Sequence, residues 1–507
     1  MNEKTSIFKT EDGKSHLFTF TLICTLFFLW AFCNSMIDSM DKHFQLLLNL
    51  SKRESAWVQF AHYLGYFLMA LPAGWLTHKL GYKKGILAGL LIVSAGCLWF
   101  IPATSIATFW AFLLGVCIVS MGLTFLETVA NPYTTVLGST QYAATRINLA
   151  QSFNGLGWIV GPLVGAQFFY ASEAQGGAQA ASETLWIPYA GVGVFVLLLS
   201  FVFLCVKLPE LGNTDSPDES NQSNLSHTLN RSTSYKMLLL NLLVLSFAVA
   251  TIAVTFSSIK ISDQNTLVTI FSGTIVLSIV LGLFFVQKIN RNLSSESIWA
   301  YPHFSGSTIA QFFYVAAQAG TFAYFMFYVT EELPPLPEMF QGAWLLGGEA
   351  GTVTKNGILM VSEKGGANLL SVAFGLFVLG RFTGAALLKR IPAHQVLGTY
   401  GAINVLLMLL ITLKIGWVSV LALFLSFFFM SVMYPTIFAL GIFGLGEKAK
   451  VASSFIVMAI MGGAIVPKAM GWVGDHYNMS VGFVIPMVCF IVVALYGFAW
   501  SKLSGSQ

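Results

Sequence analysis

Two carboxylates stand where hydrocarbon is expected. Glu127 lies inside the apolar run 108–128, and Asp38 follows the apolar run 18–36. The chain has 22 Asp and Glu residues, and the others fall in polar loops, in the tails or at the extreme ends of apolar runs. A charged acid at the centre of a membrane helix costs roughly 2.5–3.5 kcal/mol on insertion scales. A chain that keeps such groups is expected to use them, most often on a proton or on a solute whose movement is tied to an ion.

The neighbours of each acid sharpen this expectation. Glu127 sits in Gly122-Leu-Thr-Phe-Leu-Glu127-Thr-Val-Ala-Asn131-Pro132, one helical turn from Asn131 and on the same face. Pro132 has no amide hydrogen, which frees a backbone carbonyl one turn earlier, near Thr128. Freed carbonyls beside an acid make a polar pocket in which a carboxyl group can load and release a proton. The alternative is a structural acid hydrogen-bonded between helices. Asn34 and Asp38 are also one turn apart. There a proton or cation site competes with an interfacial acid that caps a helix end. Asp41 and Lys42 read as solvated.

Amides and phenols mark further helix faces. Asn148, Gln151 and Asn154 are spaced by three; Gln311, Tyr314 and Gln318 are spaced by three and four; Tyr324 and Tyr328 form another pair. Such groups donate and accept hydrogen bonds without net charge. That suits a neutral, hydroxyl-rich ligand such as a sugar, with aromatic rings to stack on its apolar face. The substrate-binding candidates are Asn34, Gln59, Asn131, Gln151, Asn154, Gln311, Tyr314 and Gln318. Taken singly, each could instead be hydrogen-bond glue between helices. His62 reads better as a packing histidine than as a ligand.

These side chains need long apolar elements to position them. The 507 residues are 56% hydrophobic and only 9% charged, with a mean hydropathy of +0.74, whereas a soluble domain is about 25% charged. Spans are expected at 17–40, 56–77, 86–103, 107–136, 146–171 and 187–208. A polar linker, Glu210–Lys236, follows, then extra runs at 237–257 and 267–287. Six more spans come at 303–330, 367–388, 394–413, 417–441, 451–473 and 480–500. The expected fold class is an all-α membrane protein of about 14 spans. Residues 1–208 form one six-helix bundle, 209–302 a linker with two additional transmembrane helices, and 303–507 a second six-helix bundle. The run after the polar first 16 residues is too long for a signal-peptide core and reads as an uncleaved first helix.

Lys and Arg crowd into the segments that face inward if both termini are cytoplasmic, such as Lys79, Lys83 and Lys84, and Arg381, Lys389 and Arg390. The halves echo each other: Pro132 before Leu137-Gly138 matches Pro435 before Leu440-Gly441, and Gly74 before Lys79 matches Gly384 before Lys389. Parallel halves place a substrate near the midplane between them. Gly74, Lys79, Gly81 and Lys83 make a tight inner loop, read as a gating hinge. All six cysteines lie in apolar stretches with no metal or disulfide spacing. Within these residues there is no GxxxxGK[ST] loop, His-Glu-x-x-His helix or GxSxG elbow. The expectation is no enzyme and no cofactor or metal, with a gradient as the energy source.

Several strings carry a resemblance. The Gly74–Lys84 loop resembles the inner-loop signature of the major facilitator superfamily, with His78 where an acid is usual. More specific are Phe125-Leu-Glu127-Thr-Val-Ala-Asn131-Pro132-Tyr133, Asn148-Leu-Ala-Gln151-Ser-Phe153-Asn154, Ala310-Gln311-Phe312, Tyr434-Pro435-Thr436-Ile437-Phe438 and Ser453-Ser-Phe-Ile-Val-Met458. Together they closely resemble the fucose–galactose–glucose:proton symporter family, over roughly 18–208 and 305–500.

The resemblance implies a major facilitator fold and proton-coupled sugar uptake by alternating access. It implies an acid in span one, which Asp38 before Phe44-Gln45 fits, and an acid in span four, which Glu127 fits. It also implies cavity-lining amides at Gln151 and Asn154. The extra spans and the Pro/Gly-rich loop Glu331–Gly366 depart from the usual twelve-span pattern. The expected setting is a bacterial inner (plasma) membrane, with a small neutral sugar and the lipid bilayer as partners, no nucleic acid, and a monomer as the working unit. Sodium coupling, with Asp38 and nearby carbonyls holding the ion, is the rival within transport, beside an exporter of amphiphiles. A lipid-linked sugar transferase lacks its acidic pair here, and a non-transporting sugar sensor is the rival outside transport.

Overall fold

Hydrocarbon offers no partner to a backbone N–H or C=O, so a spanning chain must satisfy those groups within its own helices or a closed barrel. This chain uses helices. The computed structural model describes residues 8, 15–48, 51, 57–106, 108–137, 143–169, 186–208, 231–257, 263–294, 297–355, 357–388, 390–445 and 448–505. The first half holds α1 (Leu17–Leu48), α2 (Trp57–Ile106), α3 (Phe109–Val136), α4 (Ala143–Phe169) and α5 (Trp186–Cys205). A hairpin of α6 (Arg231–Ser257) and α7 (Gln264–Arg291) follows. The second half holds α8 (Pro302–Ala323), α9 (Phe325–Glu331), α10 (Glu363–Leu387), α11 (Ala393–Thr412), α12 (Trp417–Met430), α13 (Met433–Ile442), α14 (Ala449–Met458), α15 (Val466–His476), α16 (Met479–Gly482) and α17 (Val484–Ser504). Among the described residues, 12 helical segments are long and apolar enough to cross a membrane. The 57–80 half of α2 and the whole of α4 have the length but carry more polar side chains, and with them the count of long helices is 14.

Local sequence explains several breaks. Gly81 has φ 83° and ψ 170°, a conformation easy only for glycine, and it divides α2 into two crossings. Lys83 then donates from Nζ to the carbonyls of Leu204 (2.9 Å) and Val206 (2.8 Å), groups that the end of α5 leaves unpaired. Pro302 opens α8, where its missing N–H costs nothing. Asp263 caps α7 by accepting from Thr266 N at 2.8 Å, and Ser362 caps α10 by accepting from Gly365 N at 3.1 Å. The loop Glu331–Gly366 is ordered by an antiparallel hairpin, β1 (Thr352–Lys355) with β2 (Ile358–Val361), turned through Gly357 at φ 77°.

Packing sorts the helices by job. The segment Pro302–Glu331 is the least apolar of these and the most buried, whereas α7 is strongly apolar over Asn265–Arg291 and has no buried residue in its spanning window. Helices that line an interior carry polar faces; those that meet only lipid do not. α4 packs along α1 and also against α10, and α2 meets α14 and the 459–464 turn. These contacts form the seam between the two halves. α6 and α7 pack on each other, and α6 leans on α8, so the hairpin stands at the periphery.

Close approach of α1 and α4 rests on glycine. A Cβ at Gly157 would stand 2.3 Å from Phe28 O and 2.8 Å from Ala31 Cβ. Among the described residues, nothing stands within 4 Å of such an atom at Gly191 of α5. Gly157→Leu is therefore expected to lower stability by about 1–3 kcal/mol through overpacking. Gly191→Leu should leave the melting curve of the purified protein unchanged. Equal melting temperatures for the two variants would contradict this packing.

Candidate functional site

A cavity of about 50 Å³, counted as space open to the centre of a water molecule, lies on the seam at mid-depth. α1 brings Trp30 and Asn34 to it, α2 brings His62 and Tyr66, α3 brings Glu127, and α4 brings Gln151 and Trp158. From the other half come Gln318 and Phe322 of α8, Arg381 of α10 and Tyr434 of α13. Donors, acceptors and aromatic faces thus converge on one space from both halves.

Glu127 is the buried acid of this wall, 6% exposed. Tyr434, 307 positions later in the chain, donates its hydroxyl hydrogen to Glu127 Oε1. That bond crosses the seam. Oε2 is buried and has no hydrogen-bond partner among the described residues. Trp30 and Tyr66 flank the same carboxyl group, and Trp30 Nε1 donates to Tyr66 Oη at 2.6 Å. His62 Nδ1 lies 2.6 Å from Ser120 Oγ, which also stands 2.8 Å from Val116 O. The single Ser120 hydrogen serves either Val116 O or His62 Nδ1, and which one it serves depends on the imidazole tautomer. The neighbours of Glu127 are thus donors or aromatic edges rather than other anions.

Arg381 is a feature that the sequence reading passed over. It is 7% exposed and its partners are neutral. Nη1 donates to Asn154 Oδ1 (2.6 Å), Gln151 Oε1 (3.0 Å) and Gln151 O (2.8 Å), and Nε donates to Ser431 O (3.2 Å). The guanidinium carbon stands 4.7 Å over the Phe377 ring. Gln151 in turn donates from Nε2 to Asn131 Oδ1 at 3.3 Å. Arg381 therefore clamps α10 to α4 on the side of the cavity toward the end that carries Lys83, called the basic end below. A second buried arginine, Arg146, donates from Nε to Thr134 O at 3.0 Å and ties α4 to α3 within the first half.

The cavity is closed on both sides. Toward the end opposite the basic one, the Trp158 ring packs on Phe322 (5.4 Å) and Phe374 (4.9 Å), and Phe322 stacks on Phe427 at 4.8 Å. Farther that way, a Cβ at Gly463 would stand 2.4 Å from the Tyr63 ring, and Lys468 Nζ lies 3.7 Å above the Trp57 ring. Toward the basic end, a Cβ at Gly74 would stand 2.1 Å from Ser454 Oγ. Ligand pockets commonly measure about 300–1,000 Å³. This one is contracted to a space that holds a few waters.

The residues singled out from sequence divide by position. Glu127, Asn34, Gln151 and Gln318 line the cavity, and so does His62, which had read as packing. Asn154, Asn131 and Tyr314 stand one layer back: Asn154 holds Arg381 and also donates to Phe27 O at 3.3 Å, Asn131 holds Gln151, and Tyr314 donates to Met430 O at 3.0 Å. Gln59 and Gln311 are buried but do not line it, and among the described residues neither the side-chain nitrogen nor the oxygen of Gln311 has a partner. In the inner loop, Gly74 faces Ser454, Gly81 makes the break in α2, Lys83 caps α5, and Lys79 Nζ lies 4.1 Å over the Trp75 ring. The side chains of Asp38, Asp41, Phe44, Gln45 and Asn148, and the linker 209–230, lie outside the described residues. Arg381 was legible as a charge inside the apolar run 367–388; it went unmarked because it was counted with Lys389 and Arg390 at the end of that run.

Residues 18–331 match the sequence profile of the Major Facilitator Superfamily. The chain is 31% identical to the L-fucose-proton symporter of Escherichia coli (strain K12), over 96% of this chain and 93% of that protein. It is 25% identical to a glucose/galactose transporter of Brucella abortus, over 97% of each. The crystal structure of a major facilitator transporter, FucP, in the outward conformation superposes with a TM-score of 0.62 at 30% identity, covering 96% of this chain and all of that one. A D-xylose-proton symporter superposes at 0.59 with 13% identity, a likeness of fold alone.

The Arg381 clamp makes a prediction. Arg381→Ala leaves Asn154 Oδ1 and Gln151 Oε1 buried without a donor, at about 1–3 kcal/mol each. The melting temperature should fall. The distance between spin labels at Leu149 and Thr383, measured by pulsed electron resonance in a cysteine-free background, should lengthen and broaden. Arg381→Lys should restore part of the short distance. An unchanged distance in Arg381→Ala would remove the clamp from the account.

Proposed function

The chain belongs to the Major Facilitator Superfamily, and we propose that it carries a hexose or a related neutral monosaccharide across the membrane together with a proton. It is a multi-pass integral membrane protein, and similarity to sugar symporters and transporters spans nearly its whole length. The observation that carries the coupling is the Glu127 carboxyl group, buried at the seam and held from the other half by the Tyr434 hydroxyl. On this reading Asp38, the second acid of span one, shares the coupling. The chain sits in a bacterial inner membrane with both termini cytoplasmic, works as a monomer, and rocks its 1–208 bundle against its 303–507 bundle.

The mechanism follows from what each group can do. With the side opposite the basic end open, the aromatic contacts of Trp158 and Phe322 part and the cavity widens. A proton neutralises Glu127, which removes the cost of enclosing a charge. The sugar docks against the amides of Asn34, Gln151 and Gln318, with its apolar face on Trp30 or Trp158. Gln151 is the pivot, because the oxygen that accepts from Arg381 is one a sugar hydroxyl can compete for. Competition weakens the clamp, α10 leaves α4, and the basic end opens. Loss of the proton to the higher internal pH then completes the cycle. A proton entering an inside-negative cell gains about 2.3 kcal/mol per 100 mV, enough for a several-tenfold sugar gradient.

Proton rather than sodium coupling is supported by the company Glu127 keeps. A sodium site needs several oxygen lone pairs around the ion. Tyr434 offers Glu127 its hydrogen, and the indole N–H of neighbouring Trp30 is given to Tyr66 Oη. The sugars that suit the site include fucose, galactose, glucose and N-acetylglucosamine.

Proteoliposomes with imposed pH or sodium gradients and a panel of these labelled sugars test the proposal. A pH gradient should drive accumulation at fixed sodium. Glu127→Gln should abolish gradient-driven uptake, because an amide does not take up and release a proton, while sugar exchange across the membrane persists. Tyr434→Phe should retain coupling at a reduced rate. Full coupled uptake by Glu127→Gln would end the proposal, and absence of any flux would turn the reading toward a sensor.

A further inference from the structure

A second cavity lies away from the coupling site, between the α6–α7 hairpin and the body of the protein. It measures about 320 Å³ by the same count of space. Its walls include Leu238, Leu242 and Ala248 of α6, Phe285 and Ile289 of α7, and Phe312 of α8. Besides the Trp299 indole, two side chains with polar atoms reach it, Asn241 and Thr308, and these two are hydrogen-bonded to each other and to the backbone. Asn241 Nδ2 donates to Ser305 O (2.8 Å) and Met237 O (3.0 Å), and Thr308 Oγ1 donates to Asn241 Oδ1 (2.6 Å). This staple fastens α6 to α8 and leaves the cavity a predominantly apolar wall. Water gains little in such a space.

The dimensions and the charge at its mouth fit one occupant. From Leu238 to Ala248 a helix rises about 15 Å, half of a hydrocarbon core of about 30 Å. The cavity thus runs from the basic end to mid-depth, the reach of one leaflet. At that end the hairpin exposes Arg231, Lys236, Lys288 and Arg291. From 231 to 294 the one acid is Asp263, at the far turn of the hairpin; Glu296 follows just beyond. We propose that this cavity holds an acyl chain of an anionic phospholipid drawn from the leaflet at the basic end, with its phosphate over Lys236, Lys288 and Arg291. The lipid completes the packing between the hairpin and α2, α8 and α14, which protein atoms leave open there.

The test uses full-length protein in nanodiscs, with phosphatidylglycerol or phosphatidylcholine carrying a diazirine on one acyl chain, and maps the cross-links by mass spectrometry. Phosphatidylglycerol should label 238–248 and 455–461 well above the lipid-exposed face of α5 around Leu198 and Phe201. Capture should fall about fivefold for each of Lys288→Gln and Arg291→Gln, from about 1 kcal/mol per surface cation. Leu245→Trp, which fills the space from a half-exposed position, should remove the label. The two charge variants alter exposed side chains, so they keep the test decisive if Leu245→Trp does not fold. Labelling spread evenly around the perimeter, or equal capture of both lipids at the cavity, would overturn the proposal.

Discussion

The hydrogen bond from Tyr434 to Glu127 joins the two halves of the chain through a group that hydrocarbon tolerates poorly. A carboxylate in this place has a phenol hydrogen on one oxygen and, among the described residues, no hydrogen-bond partner on the other. Protonation removes the cost of the charge, and deprotonation makes the bond to Tyr434 charge-assisted and stronger. The halves are thus tied more tightly in one protonation state than in the other. The surrounding structure supports that difference: Trp30 and Tyr66 flank the group, and the carboxyl group is buried at the seam.

The two sides of the cavity are closed by different physics. Toward the basic end the clamp is polar and directional, a guanidinium spread over two amide oxygens and two backbone carbonyls. Toward the other end the closure is aromatic, Trp158 and Phe322 packed among Phe374 and Phe427. Aromatic contacts part without leaving an unmet hydrogen bond. Opening the clamp strands a buried cation and two amides unless something with hydroxyl groups replaces what is lost. On the proposed reading a sugar does so. The asymmetry gives the empty protein a reason to open one way and the loaded protein a reason to open the other.

Sequence exposed those parts of this design that violate an expectation locally. Glu127 was visible because an acid interrupts an apolar run, Asn34 because it stands one turn from Asp38, and Gln151 and Gln318 because amides recur at helical spacing. The spans were visible from length and hydropathy, including the two least apolar ones, whose polar faces turn out to border the seam. Arg381 breaks the same rule as Glu127 and could have been marked by it. Trp30, Tyr66, Trp158 and Tyr434 could not, because an aromatic residue in an apolar span looks the same whether it faces lipid, core or cavity. Gln59 and Gln311 show the converse: polarity within a span places a residue away from lipid without choosing which interior it faces. The loop Glu331–Gly366 reads as irregular from its Pro and Gly content, yet Gly357 supplies the positive φ that turns a hairpin there.

The α6–α7 hairpin leaves the seam free. It enters and leaves at the basic end, so the second half crosses in the sense it would have without it, and it touches the body through α8 and a few residues of the seam's outer edge. The central claim lies elsewhere, in the protonation of Glu127 as the event that accompanies sugar binding. The most direct measurement is calorimetric titration of the purified protein with sugar, in buffers of different ionisation enthalpy at one pH. The account predicts that binding takes up protons from the buffer and that Glu127→Gln binds sugar with none taken up. Sugar binding with no proton uptake by the unmodified protein, or the same uptake in Glu127→Gln, would contradict it.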